Sequence, residues 1–142
     1  MEGGHRKLEV YTLAHDLAVQ IHALTRSLPK SETYEEASQI RRSSKSVSSN
    51  IVEGFALRKY KNEFLHYLYR AYASSEETLE HWTLLYETKA FTDEKVFKEI
   101  YSGIQRLNAT LFQFIQAVER EHKPPAFLRE AELGYTAGED IA

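Results

Sequence analysis

The sequence contains no cysteine, so disulfides and thiolate metal sites are excluded. No run approaches the ~18 consecutive apolar residues that a membrane span needs. The opening residues, MEGGHRKLEV, hold no apolar stretch of the kind that heads a secretory signal, and the expected location is the cytoplasm. With 6 glycines and 3 prolines in 142 residues, breakers are scarce. That disfavours a loop-rich β fold and favours long uninterrupted elements. An excess of one charge is missing too. The net charge is −3, so the chain is no general polycation and any nucleic-acid contact has to be local.

What is present suits one globular domain, with 42% hydrophobic and 27% charged residues. The charges are unevenly spread. Residues 41–70 hold Arg41, Arg42, Lys45, Arg58, Lys59, Lys61 and Arg70 against Glu53 and Glu63. Residues 76–99 hold seven acids against three lysines, and from Pro124 onward four acids face Arg129 alone.

Apolar residues recur at three- and four-residue steps, the spacing that lines one face of a helix. Val10, Leu13, Leu17, Ile21, Leu24 and Leu28 predict a first helix over about 8–27, stopped by Pro29. Ala37, Ile40, Ser44, Val47, Ile51 and Gly54 predict a second over about 33–56, opened by a Thr33/Glu36 capping box. Its seam is made of small residues, which predicts bulky groups opposite. Leu65, Leu68, Tyr72, Ser75, Leu79, Trp82 and Tyr86 predict a third over about 61–89. Phe97, Ile100, Ile104, Leu107, Leu111, Phe114 and Val118 predict a fourth over about 92–122, with Thr92 as N-cap.

Short connections make consecutive helices antiparallel neighbours. The expected fold is all-α: an antiparallel up-down-up-down four-helix bundle over residues 1–123. A period near 3.5 residues predicts left-handed packing at about +20°. Residues 124–142 form an acidic C-terminal tail with no clear period, expected to be extended or mobile.

The second helix carries a resemblance. Ser38-Gln39-Ile40-Arg41-Arg42-Ser43-Ser44-Lys45-Ser46-Val47-Ser48-Ser49-Asn50-Ile51-Val52-Glu53-Gly54-Phe55 resembles the signature S-Q-I-R-R-A-A-x-S-I-P-S-N-I-x-E-G of the four-helix-bundle proteins of the 23S rRNA intervening-sequence family. The likeness covers roughly residues 7–120. It departs at Ser48, where the pattern has a proline, and at Ala56, where a second glycine is usual. The resemblance implies an up-down bundle and a homo-oligomer, a pentameric ring. Relatives include accessory proteins of diversity-generating retroelements, which are strongly basic and bind RNA and a reverse transcriptase; this chain is not strongly basic.

Two Glu-x-x-His pairs, Glu63/His66 and Glu119/His122, have the spacing of carboxylate-bridged di-metal bundles. With Leu65, Leu68 and Val118 facing inward, Glu63, His66 and Glu119 point outward, so no metal site is expected. His15 and His22 stand seven apart and share a face, read as boundary histidines. There is no phosphate loop and no hydrolase motif. The sequence therefore predicts neither a catalytic residue nor a cofactor nor a small-molecule substrate.

The basic stretch is the functional lead. Arg42, Lys45 and Ser49 point outward when Ile40 and Val47 face the core, with Arg41 at the flank. Arg58, Lys59 and Lys61 follow at the next turn. These seven residues are the candidate nucleic-acid contacts, since cations neutralise phosphates and hydroxyls bond to phosphate or sugar. The plain alternative is a solvated face paired with the acids of residues 76–99. Gln39, Asn50, Glu53 and Gly54 belong to the family motif and are read as structural. Asn50 and Glu53 are expected to form a polar network near Gly54, which relieves the backbone there. Tyr11, Val19, Tyr67, Tyr69, Tyr101, Phe112 and Ile115 widen or leave the stripes and predict self-association. The expected partners are other copies of the chain and an RNA or ribonucleoprotein. The alternative function is a protein-interaction scaffold that binds no nucleic acid.

Overall fold

Every apolar stripe needs a partner stripe, and the four stripes meet in one core. The computed structural model describes residues 4–33 and 35–121. Its long helices are α1 (Glu9–Thr25), α3 (Glu36–Ala56), α4 (Lys61–Glu87) and α5 (Glu94–Glu121), joined by a short helix α2 (Lys30–Thr33). A 3-10 turn, Gly4–Lys7, precedes α1. No strand occurs among the described residues, which form an all-α fold. Packing joins α1 to α3, α3 to α4, α4 to α5 and α5 back to α1. The tail expected over 124–142 lies outside the described residues, as does His122.

The first helix ends at Thr25 rather than near residue 27, and three further predicted ends move, each for a local reason. The long helix does not begin at Thr33. Residues 30–33 make a separate turn, α3 starts at Glu36 without a side-chain cap, and the Glu36 carboxylate turns to His81. The third helix stops at Glu87 because Lys89 adopts φ 66°, the left-handed conformation that closes helix C-termini. Asp93, rather than Thr92, caps the last helix, its Oδ1 accepting from the Val96 N–H at 3.1 Å.

The seams of α3 and α5 are buried as predicted, apart from Phe97, which is half-buried. The seam of α4 is rotated by one residue. Its buried positions are Phe64, Leu68, Ala71, Ser75, Thr78, Trp82 and Leu85. Leu65, Tyr72, Leu79 and Tyr86 are half-buried. The rotation sets small residues against the small seam of α3, contrary to the expectation of bulky ones. Ser43 and Thr78 hydroxyls bond across at 2.8 Å, and those of Ser46 and Ser74 at 2.9 Å. A Cβ on Gly54 would lie 3.1 Å from the Tyr67 Cβ and 3.3 Å from the Phe64 carbonyl oxygen. Close approach of two helices, rather than relief of its own backbone, is what requires glycine there.

The wide end between α4 and α5 takes the rings instead. Trp82 is fully buried, its indole N–H donating to the Phe97 carbonyl at 3.0 Å. Phe91 and Phe97 pack on its ring, and Tyr86 and Tyr101 pack in turn on Phe97. Of the residues expected to leave the stripes, Tyr11 and Ile115 are buried, and Tyr67 and Tyr101 half-buried. Val19, Tyr69 and Phe112 are exposed, at 58%, 46% and 47%.

Candidate functional site

The seven predicted contacts separate into two groups. Arg41 is an internal strut. Its Nε donates to the Thr25 hydroxyl and its Nη2 to the Thr25 carbonyl, both at 2.7 Å. That fork caps the end of α1, where helix carbonyls lack partners and positive charge is favoured. Arg58 donates to the Phe55 carbonyl at 2.7 Å and lies 4.2 Å from the Phe55 ring centroid. It closes α3 in the same way. Lys61 reaches the Glu119 carbonyl near the end of α5 at 2.9 Å. All three side chains are half-buried and donate to backbone carbonyls of the fold.

Arg42, Lys45, Ser49 and Lys59 stay exposed. Ser49 donates to the Ser46 carbonyl at 3.2 Å, and the Lys59 ammonium sits 5.8 Å from the Tyr60 ring centroid. Among the described residues, neither Arg42 nor Lys45 forms an ion pair. The acids of residues 76–99 do not cover this face. Glu77 pairs with His81, and Glu94 with Lys98.

The motif residues divide likewise. Asn50 is buried and donates to the Ser46 carbonyl at 2.8 Å and hydroxyl at 3.0 Å, joining the serine bridge to α4. Glu53 is exposed and takes no part in that network, which corrects its expected role beside Asn50. Gln39 is half-buried. Glu63 and His66 are both exposed, as the helix phase predicts. No group of three or more potential metal-ligating His, Asp or Glu side chains occurs among the described residues.

A groove between α1 and α3 escaped the sequence reading. His15, Ala18, Val19 and His22 line it from α1, and Lys45 and Ser48 from α3, around a volume of about 360 Å³. Loss of hydration holds the His22 imidazole below its ordinary pKa, and Lys45, Arg41 and Arg26 add to the effect in that order. Lys45 is the cation that lines this groove, and Arg26, the C-cap residue of α1, follows His22 by one helical turn. The seven-residue spacing of His15 and His22 was the available signal; that Lys45 stands across from them depends on tertiary packing.

Four packed helices, none long and apolar enough among the described residues to cross a membrane, define a small all-α helical protein. Residues 6–113 match the family described as 23S rRNA-intervening sequence protein, and the chain belongs to that family. A crystal structure of a protein of unknown function from the S23 ribosomal protein family of Bacteroides thetaiotaomicron is similar at 26% identity. The alignment has a TM-score of 0.67 and covers 75% of this chain and 95% of that one. No curated protein matches the chain.

Proposed function

We propose that this protein is a non-catalytic, homo-oligomeric, cytoplasmic binding protein that contacts RNA through the face shared by α1 and α3. The observation that carries the reading is Lys45 lining the α1/α3 groove beside an exposed Arg42 one turn away, neither with a carboxylate partner among the described residues. An unneutralised cluster on a chain of net charge −3 is a local field, and a local field suits phosphates.

The bundle is read as up-down-up-down and left-handed. In support, pairings fall in number on one helix as they rise on the next: Ser43 with Thr78 and Ser46 with Ser74, Lys61 with Glu119 and Trp82 with Phe97. Exposed Val19, Tyr69 and Phe112 support self-association. The family likeness makes a pentameric ring the expected form, in which repeated weak contacts act together. Sedimentation of the purified chain should then give five times 16.4 kDa; a monomer would remove the ring.

RNA contact is tested by titrating single-stranded RNA at two salt concentrations. Each phosphate contact adds about 0.7 to the salt slope on a single strand. Arg42→Ala/Lys45→Ala should weaken binding and lower the slope by about 1.4. No binding by the parent protein at low salt refutes the reading. The alternative, a protein-interaction scaffold, is favoured by one feature: the α4/α5 groove where Tyr72 and exposed Phe112 meet. A defined protein retained after nuclease treatment would support it.

A further inference from the structure

The α1/α3 groove differs from a plain basic surface in having an apolar floor and flat rings at its edge. Val19 is 58% exposed, a large apolar side chain left in water where a charged face alone has no use for one. Ala18 beside it leaves the floor open. The volume of about 360 Å³ is at the low end of the ~300–1,000 Å³ of small-molecule sites, enough for a planar heterocycle and unsuited to a helix or a strand.

Two imidazoles flank that floor. His15 is held in place, its ring stacked on Tyr11 at 5.5 Å between centroids, with the Tyr11 hydroxyl 3.4 Å from Nδ1. His5 lies edge-on to the same Tyr11 at 4.9 Å. A ring already supported on one side is a platform on which a further ring stacks at little conformational cost. Cations stand at the groove: Lys45 lines it, and Arg26, the C-cap residue of α1, lies one helical turn beyond His22. Arg41 is spent on Thr25, which leaves Lys45 and Arg26 for a ligand. A flat apolar slot rimmed by cations matches one unstacked nucleotide, whose base has two π-faces and whose phosphate is charged. A duplex presents its phosphates but keeps its bases inside the stack.

We propose that the α1/α3 groove binds the splayed base of a single-stranded RNA, stacked between His15 and His22 over Ala18 and Val19, with the adjoining phosphate at Lys45 and Arg26. This rests on the RNA reading above and makes it specific: the protein should select unpaired nucleotides over paired ones.

The full-length protein is titrated with a fluorescent single-stranded RNA of about 12 nucleotides and with the duplex of the same length, each competed by polyglutamate. The single strand is expected to bind about tenfold more tightly than the duplex and to resist polyglutamate. His22→Ala should cost the single strand about tenfold and leave the duplex unchanged, because stacking on one base is lost. His22→Phe keeps a flat ring and should restore most of the loss. His22 is exposed, so both variants fold, which thermal melting checks. Equal affinity for single strand and duplex, with Arg42→Ala/Lys45→Ala still weakening both, overturns the base site and leaves the phosphate face standing. Equal competition by polyglutamate overturns it as well, reducing the groove to bare charge. Absence of binding to either RNA at low salt overturns both readings.

Discussion

Arg41 and Arg42 are adjacent and chemically identical, and the structure gives them opposite work. Arg41→Ala removes two charge-assisted hydrogen bonds of 2.7 Å to Thr25, whose residue is 2% exposed. Thr25 keeps some partners. Its hydroxyl still donates to the Ile21 carbonyl at 2.8 Å, and its carbonyl still accepts from the Leu28 N–H at 3.3 Å. Water also reaches half-buried Arg41, so the loss is less than two full bonds, about 2 kcal/mol. Removing a cation from the end of α1 adds about 0.5 kcal/mol. For a domain of this size the sum lowers Tm by roughly 8 °C. Arg41→Lys, a point charge without the planar fork, should recover about half. Arg42→Ala touches nothing internal and should stay within about 0.5 kcal/mol of the parent, while weakening RNA binding. Thermal denaturation followed by circular dichroism, paired with RNA titration of each variant, reads both quantities. An unchanged Tm for Arg41→Ala, together with a binding loss equal to that of Arg42→Ala, would refute the assignment of Arg41 as a strut.

The two helix-contact glycines should respond oppositely to alanine. At Gly103 the new Cβ meets only the mobile end of Leu17 at 3.0 Å, so the gain in helix propensity, up to about 1 kcal/mol, should survive in urea melts. At Gly54 the neighbours are fixed to the α4 backbone, and Gly54→Ala should be destabilising by about 1 kcal/mol once crowding exceeds that gain. Trp82→Ala empties the largest buried site and removes the indole bond to the Phe97 carbonyl; a loss of about 3–5 kcal/mol is expected in unfolding free energy from urea melts. His22 is held below its ordinary pKa of 6.5 in the folded chain, so the unfolded chain takes up a proton first as pH falls. The group costs nothing above that pH and lowers stability progressively below it. His22→Gln should therefore flatten part of the acid slope of Tm, and an unaltered slope would contradict this.

Helices were legible because their signal is periodic. Ile40, Val47 and Ile51, or Ile104, Leu111 and Val118, repeat often enough that one missed position changes nothing. The phase of α4 was not legible, since Leu68, Ser75 and Trp82 belong to both possible stripes. The choice between Leu65 and Phe64 is made by the small-residue seam of α3. Helix ends depend on single backbone conformations such as that of Lys89, which no periodicity reports. At the candidate site, the stretch of cations was visible but its division was not. A change of one position turns a side chain by about 100°, and that turn sends Arg41 to Thr25 and leaves Arg42 in water. The α1/α3 groove joins residues far apart in the chain, so the sequence offered only its α1 half, the His15/His22 pair.

Photocrosslinking of the full-length protein to a single-stranded RNA, with the attached peptides located by mass spectrometry, tests the RNA face most directly. Crosslinks should concentrate between His15 and Arg26, along α1 and its C-cap, and between Arg42 and Ser49 in α3. Crosslinks confined to α4 and α5, on the Tyr72 and Phe112 side, would contradict the account.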